Sequence, residues 1–157
     1  MSAPQTLRQL FVDTRSHTEY ICSFLETEDH VVQPVVDVSP PKWHLGHTTW
    51  FYEEFILKQF QEYKIFNPNF SFIFNSYYVS VGDKVARPSR GNLSRPTVSQ
   101  VLEYRQYVTE QLLSFLKKEE DWSVELLKIL ELGIQHEKQH QELLITDIKY
   151  ILGTNPL

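Results

Sequence analysis

Two histidines four residues apart, His136 and His140, sit inside a long helical pattern near the end of the chain, GIQHEKQHQELLITDIKYI from Gly133 to Ile151. Counting outward in steps of three and four gives Leu126, Ile129, Gly133, His136, His140, Leu143, Asp147 and Ile151. That spacing predicts the apolar stripe of one helix face, with two imidazoles and a carboxylate set into it. At i and i+4 the rings lie one turn apart, roughly 6 Å along the axis, so both can reach a single ion. Burying two such rings side by side without partners is costly. The pattern therefore predicts a metal or a tight hydrogen-bond network, and a metal needs a third ligand from elsewhere. A lone histidine on an apolar face is ordinarily a satisfied core residue. An i, i+4 pair beside a glycine that permits close approach favours a metal site.

The rest of the chain sets bounds on that site. Its 157 residues suit one domain with a sizeable core. Only 5 residues are glycine, which argues against a many-turned β fold and towards helices. With 15 basic and 20 acidic residues the net charge is −5, which excludes an overall pull towards nucleic acid or an anionic membrane. Cys22 is the single cysteine, so no intrachain disulfide framework forms, and its place between Ile21 and Phe24 predicts a buried, inert thiol. No apolar segment is long enough to span a bilayer and the N-terminus has no signal-peptide core, so the expected location is cytoplasmic.

In chain order, Leu7, Leu10, Phe11, Thr14, His17, Ile21, Phe24 and Leu25 mark a first helix over roughly residues 5–26. His17 lies on its inner stripe and is a rival for the third ligand, whereas His30, beside Glu28 and Asp29, is expected to be solvated. Ser39-Pro40-Pro41 reads as a helix start with Ser39 as N-cap, followed by KWHLGHTTWFYEEFILKQF. There, Trp43, His47, Trp50, Glu54 and Leu57 share one stripe, and His44 shares another with Phe51 and Phe55. Spacing does not choose between the two histidines. Gly46, next to His47, allows a neighbouring helix or ligand to come close.

Phe60 to Thr97 reads as irregular, opening with short extended pieces in FNPNFSFIFNSYYVSVG. Lys84, Arg87, Arg90 and Arg95 then follow with no acidic residue between Asp83 and Glu103, a positive island in an acidic protein. Such arginines suit a substrate carboxylate; the alternative is a solvated basic loop pairing with helix acids. Thr97 to Gln100 fits a capping box opening a third helix, whose inner face is Val101, Tyr104, Val108, Leu112, Phe115 and Leu116. Ser123 is the expected N-cap of the final helix, which stops near Gly153. Four long amphipathic helices predict an all-α, antiparallel four-helix bundle with a long aromatic and arginine-rich loop between helices two and three. The histidine pair would face the histidine of helix two across the bundle.

His136-Glu137-x-x-His140 also matches the H-E-x-x-H string of zinc proteases, with Glu137 as general base. The extended form of that motif requires Gly and His where this chain has Leu143 and Thr146, which argues against it. A different likeness fits better. SPPKWHLGHTTWFYEEF, FNSYYVSVG, RPSRGNLSRPT and GIQHEKQHQELLITDIKYILGTNPL, in this order from Ser39 onward, resemble the N-terminal DinB-like domain of the ergothioneine-biosynthesis (hercynine oxygenase-type) sulfoxide synthases, which are non-haem iron enzymes. The resemblance implies an iron(II) site made by His47, His136 and His140, preferring His47 because the second histidine of W-x-x-x-H is the family's ligand. It implies that Gln139 touches hercynine, the N-trimethylated histidine substrate; Gln139 lies about 60° around the helix from His136, so both can reach one pocket. Arg87 and Arg90 would hold carboxylates of the thiol, cysteine or γ-glutamylcysteine.

The reaction implied is O₂-dependent. It joins the thiol sulfur to the imidazole of hercynine and oxidises it to a sulfoxide, and three imidazoles leave open positions for such chemistry. The family's enzymes continue into a second domain, resembling formylglycine-generating enzyme, that supplies a catalytic tyrosine. This sequence stops at Leu157, so the expectation is a single metal-binding domain over 1–157, incomplete without that C-terminal domain or a second chain. Two other readings stand beside it. One is a stand-alone DinB-like thiol transferase or hydrolase using zinc or nickel. The other is a non-enzymatic, metal-stabilised helical module that forms a homodimer through an exposed patch of Phe66, Phe70, Phe72 and Tyr77.

Overall fold

Helix boundaries follow the side chains able to close a helix end. The computed structural model describes residues 3–76, 82–118 and 122–156, and its regular structure among them is helical, with no strand. The order is α1 (Ala3–Cys22), α2 (Pro41–Phe55), a short α3 (Phe70–Phe74), α4 (Val98–Phe115) and α5 (Val124–Gly153). Short 3-10 helices occur at Glu28–Val31, Leu57–Gln59 and Arg87–Asn92. Thr97 forms a capping box: its hydroxyl accepts from the Gln100 N–H, and the Gln100 side chain accepts from the Thr97 N–H. Ser123 caps α5 by accepting from the Leu126 N–H at 3.1 Å.

Several boundaries differ from the sequence expectation. Ser39 does not cap α2: the cap residue is Pro40, and Pro41 opens the helix with its fixed φ and no N–H to satisfy. α1 stops at Cys22, short of residue 26, and α2 stops at Phe55. Phe70–Phe74 is helical rather than extended, because its Phe70 and Phe74 rings pack into the core. Residues 77–81 of that run lie outside the described residues.

α2 occupies the centre. Every residue from Pro41 to Glu53 is buried, with α5 and α4 packed on it and α1 packed on α5. A helix buried on all sides has no polar face, which is why periodicity could not separate His44 from His47. Close approach is possible where side chains are missing. A Cβ at Gly46 would lie 2.1 Å from the Phe74 ring, and one at Gly133 would lie 2.8 Å from Tyr52. α4 buries Val101, Tyr104, Val108, Leu112, Phe115 and Leu116, as its pattern predicts.

The buried stripe of α5 runs through Leu126, Leu130, Gly133, Ile134, Glu137, Gln141, Leu144, Asp147 and Ile151. Leu126, Gly133, Asp147 and Ile151 lie inside as counted, but Glu137 and Gln141 take the inner places and His136 and His140 are half-buried at the margin. Leu143, expected inside, is 45% exposed. The difference arises because Glu137 and Gln141 are polar and yet fully partnered inside. The Glu137 carboxylate accepts from Arg15 Nη1 (3.2 Å), Arg105 Nη2 (2.6 Å) and Thr18 Oγ1 (2.8 Å). Arg15 also donates to Thr49 Oγ1 and to the Arg105 carbonyl, and Gln141 donates to the Thr14 carbonyl and Thr18 Oγ1. Residues of α1, α2, α4 and α5 thus meet in one knot. Burial opposes the Glu137 charge, but Arg105 and Arg15 outweigh it and pull the carboxyl down to about 2. A second buried carboxylate, Glu53, accepts from the Tyr63 and Tyr104 hydroxyls and the Phe66 N–H, tying the segment after α2 to α4.

Other placements correct the sequence reading. His17 is on the exposed side of α1, and His30 is buried with Nδ1 on the Glu26 carbonyl. The expected aromatic patch does not form among the described residues: Phe70 is buried, Phe66 packs on the core, and Phe72 is exposed by itself, with Tyr77 outside the described set. Cys22 is buried, and desolvation pushes its thiol up to about 11.

Glu137→Gln keeps the shape of this side chain but takes the anion from buried Arg15 and leaves buried Arg105 with the exposed Glu19, 3.1 Å from its Nε. It should lower unfolding stability by roughly 3–5 kcal/mol, read from urea midpoints. An unchanged midpoint would show that Glu137 is not a structural partner and would reopen its reading as a general base.

Candidate metal centre

His47 on α2 and His136 and His140 on α5 converge from opposite sides of one helix contact. One nitrogen of each forms a set whose atoms all lie within 4.8 Å of one another. Ring centroids are 4.9 Å apart for His47–His136, 4.8 Å for His47–His140 and 4.6 Å for His136–His140.

Each ring is held differently. His47 Nδ1 donates to the Phe74 carbonyl at 2.6 Å, leaving its Nε2 lone pair available. Phe74 can reach that position because its ring lies against Gly46. The His47 ring is stacked with Trp43 (4.5 Å, 12°) and with Trp50 (5.4 Å, 17°). Trp43 in turn carries the Arg90 guanidinium, with Cζ 3.3 Å from a ring centre. His140 Nδ1 lies 2.9 Å from His44 Nδ1, and His44 Nε2 lies 2.9 Å from Asp147 Oδ2. His136 Nδ1 is buried with no hydrogen-bond partner among the described residues.

Electrostatics keep the rings neutral. Desolvation lowers His136 to about 4, with Glu137 opposing it weakly. Burial, and then neighbouring histidines, hold His47 and His140 well below the ordinary range. Neutral imidazole is the form that binds a metal. Three neutral nitrogens, one of them on a ring with an unsatisfied buried atom, fit a divalent transition metal; iron, zinc, nickel and copper all accept such donors.

The triad opens into a cavity of about 460 Å³. Arg87, Arg90 and Gln139, the residues expected at a substrate, line the same cavity, together with Trp43, Ser39, Ser76, Asp37, Leu143, His44 and Asp147. Arg90 is buried, donating to Ser39 Oγ (2.9 Å) and Ser76 Oγ (3.1 Å). Arg87 and Gln139 are exposed, and Arg87 donates to the Asp37 carbonyl. The arginine loop is docked rather than solvated. Gln33 donates to the Val38 and Arg87 carbonyls and accepts from the Gly91 N–H, while Lys42 Nζ donates to the Leu93 and Pro96 carbonyls.

A family model of the DinB superfamily matches residues 10–144. The chain belongs to the DinB superfamily. No curated protein matches it. DinB-like domains are often metal-binding, in keeping with a three-histidine cluster in this member. No helix among the described residues is long and apolar enough to cross a membrane.

Within this DinB domain the other two candidate histidines lie outside the three-histidine cluster. His17 is exposed on α1, and both nitrogens of His44 are engaged by His140 and Asp147. Sequence reasoning set Asp147 on the histidine stripe and read Ser39 as a helix cap, but gave neither a part in the site. The signal for Asp147 was present, seven residues after His140 on the same helix. Ser39 gave none towards Asp147, because that bond is made by its backbone N–H, 2.9 Å from Asp147 Oδ2.

The depressed histidines set the pH dependence of the metal-free protein. Rings whose folded pKa lies below the unfolded value of about 6.5 bind fewer protons when folded, so stability is complete above that value and is lost as pH falls. His44, His47, His136 and His140 all shift this way. Each contributes a slope of at most about 1.4 kcal/mol per pH unit between its two pKa values. Glu137, depressed from 4.5 to about 2, adds its loss only at lower pH. Urea midpoints should therefore fall from pH 7 to pH 5, less steeply in His136→Ala. A flat profile would mean that the rings are protonated in the folded protein.

Proposed function

We propose that this DinB domain is the iron(II)-binding part of an O₂-dependent sulfoxide synthase that joins cysteine or γ-glutamylcysteine to hercynine in ergothioneine biosynthesis. The observation that carries the reading is that the three-histidine cluster shares one cavity with Arg87, Arg90 and Gln139. A metal site alone has no need of one guanidinium at its mouth and another in its wall; a site for an amino-acid thiol does. His47, His136 and His140 would hold the ion, which would supply the one-electron chemistry that sulfur oxidation by O₂ requires. In this reading Arg87, exposed at the mouth, receives a thiol carboxylate, and Arg90 adds a fixed positive charge deeper in the wall. Gln139 offers an amide to hercynine beside His136.

The same reading gives the four long helices the antiparallel arrangement of a DinB bundle, supported by the packing of α1 on α5, α5 on α2 and α2 on α4. The catalytic acid belongs to a further domain or a second chain, so turnover requires that part while metal and substrate binding do not. The donor set would equally accept zinc or nickel in a thiol transferase of the same fold.

Anaerobic calorimetric titration with Fe(II) should show one equivalent bound, lost in His47→Ala and His136→Ala and kept in His17→Ala. Hercynine should then bind the iron-loaded chain, and Arg87→Ala should weaken cysteine or γ-glutamylcysteine by tenfold or more, about 1.4 kcal/mol. Metal binding without hercynine binding would replace the synthase reading with the transferase one.

A further inference from the structure

His44 is too well buried and too fully bonded to be a spare copy of His47. It stands on α2 between two groups of α5: Asp147, whose carboxylate is 2.9 Å from Nε2, and His140, whose Nδ1 is 2.9 Å from Nδ1 of His44. An ionised carboxylate only accepts hydrogen bonds, so the proton of a neutral His44 is on Nε2. Its Nδ1 is then a bare acceptor, and the nitrogen facing it, His140 Nδ1, must be the donor. One imidazole carries one proton when neutral, so His140 Nε2 is left as a lone pair. Asp147 is itself held, since Oδ2 also accepts the Ser39 N–H at 2.9 Å. Without this chain of bonds the His140 ring, partly open to the cavity, could turn about its broad terminal torsion and offer either nitrogen.

We infer that Asp147 and His44 form a positioning pair that sets the tautomer and ring orientation of His140, so that its Nε2 is presented to a metal shared with His47 and His136. The inference rests on the metal reading of the triad and adds two residues to it. Carboxylates and other partners behind a metal-bound histidine typically account for 10- to 100-fold in affinity. The arrangement is unusual in that a second histidine transmits the carboxylate's preference. α5 supplies both ends and α2 the middle, so the bonds form only when the two helices dock in register.

The test combines Zn(II) titration of wild type, His136→Ala, His44→Phe, His44→Gln and Asp147→Asn with ¹⁵N NMR of the histidine rings in the metal-free wild type. We expect Zn(II) to bind 10- to 100-fold more weakly to His44→Phe and Asp147→Asn. His44→Gln should recover most of the loss over His44→Phe, because an amide can accept from His140 and donate to Asp147 at once. Metal-free wild type should show His140 protonated at Nδ1. Wild-type affinity in His44→Phe, equal losses in the Phe and Gln variants, or a His140 protonated at Nε2 would each overturn the pair. Undiminished binding in His136→Ala would instead overturn the metal reading, and the tautomer measurement would still decide the positioning pair.

Discussion

The anchoring of Glu137 between Arg15 and Arg105 is the constraint on which the site depends. A carboxylate with no exposed surface is tolerable only when its charge and lone pairs are met, and here α1 and α4 each send a guanidinium to it. A buried ion pair of this kind adds little net stability over an apolar core, but it tolerates few alternative arrangements. With Glu137 fixed, the rotation of α5 about its own axis is fixed too. His136 and His140 must then lie at the margin of the buried stripe, facing α2 and the cavity.

The string HEKQH is therefore divided between two environments. Its glutamate serves the core and its histidines serve the cavity. In a zinc protease the glutamate would have to face the metal and solvent, and here it faces two arginines. Identical spacing supports opposite roles because a helix distributes neighbouring residues about 100° apart.

The other wall of the cavity is assembled from chain segments with little regular structure of their own. Gln33, Lys42 and Ser39 bind the arginine loop through its backbone carbonyls, a backbone N–H and the Arg90 guanidinium. Arg90 then lies over Trp43, which stacks on His47. A cation is thus held close to the histidine cluster without any side chain crossing the cavity, and it disfavours protonation of the rings there. Arg87 stays exposed at the mouth.

Much of this is legible in the amino-acid sequence by itself. Helical periodicity predicts the inner face of α4, Thr97 and Ser123 declare their helix starts, and the i, i+4 histidines mark the cluster, because these signals are local and depend on backbone geometry alone. The choice of His47 comes from family resemblance, since α2 is buried on every side and its stripes carry no contrast. Only the tertiary structure decided the rest. It placed Glu137 rather than the histidines at the centre of the α5 stripe, moved His17 to the surface, joined Asp147 to His44, and folded the run at Phe70–Phe74 into a helix. The physical reason is that helical spacing along a sequence does not say which face meets the core: the fate of Glu137 and Asp147 is decided by partners far away in the chain, as Arg15 is from Glu137, and that of the Phe70–Phe74 run by the core its rings enter.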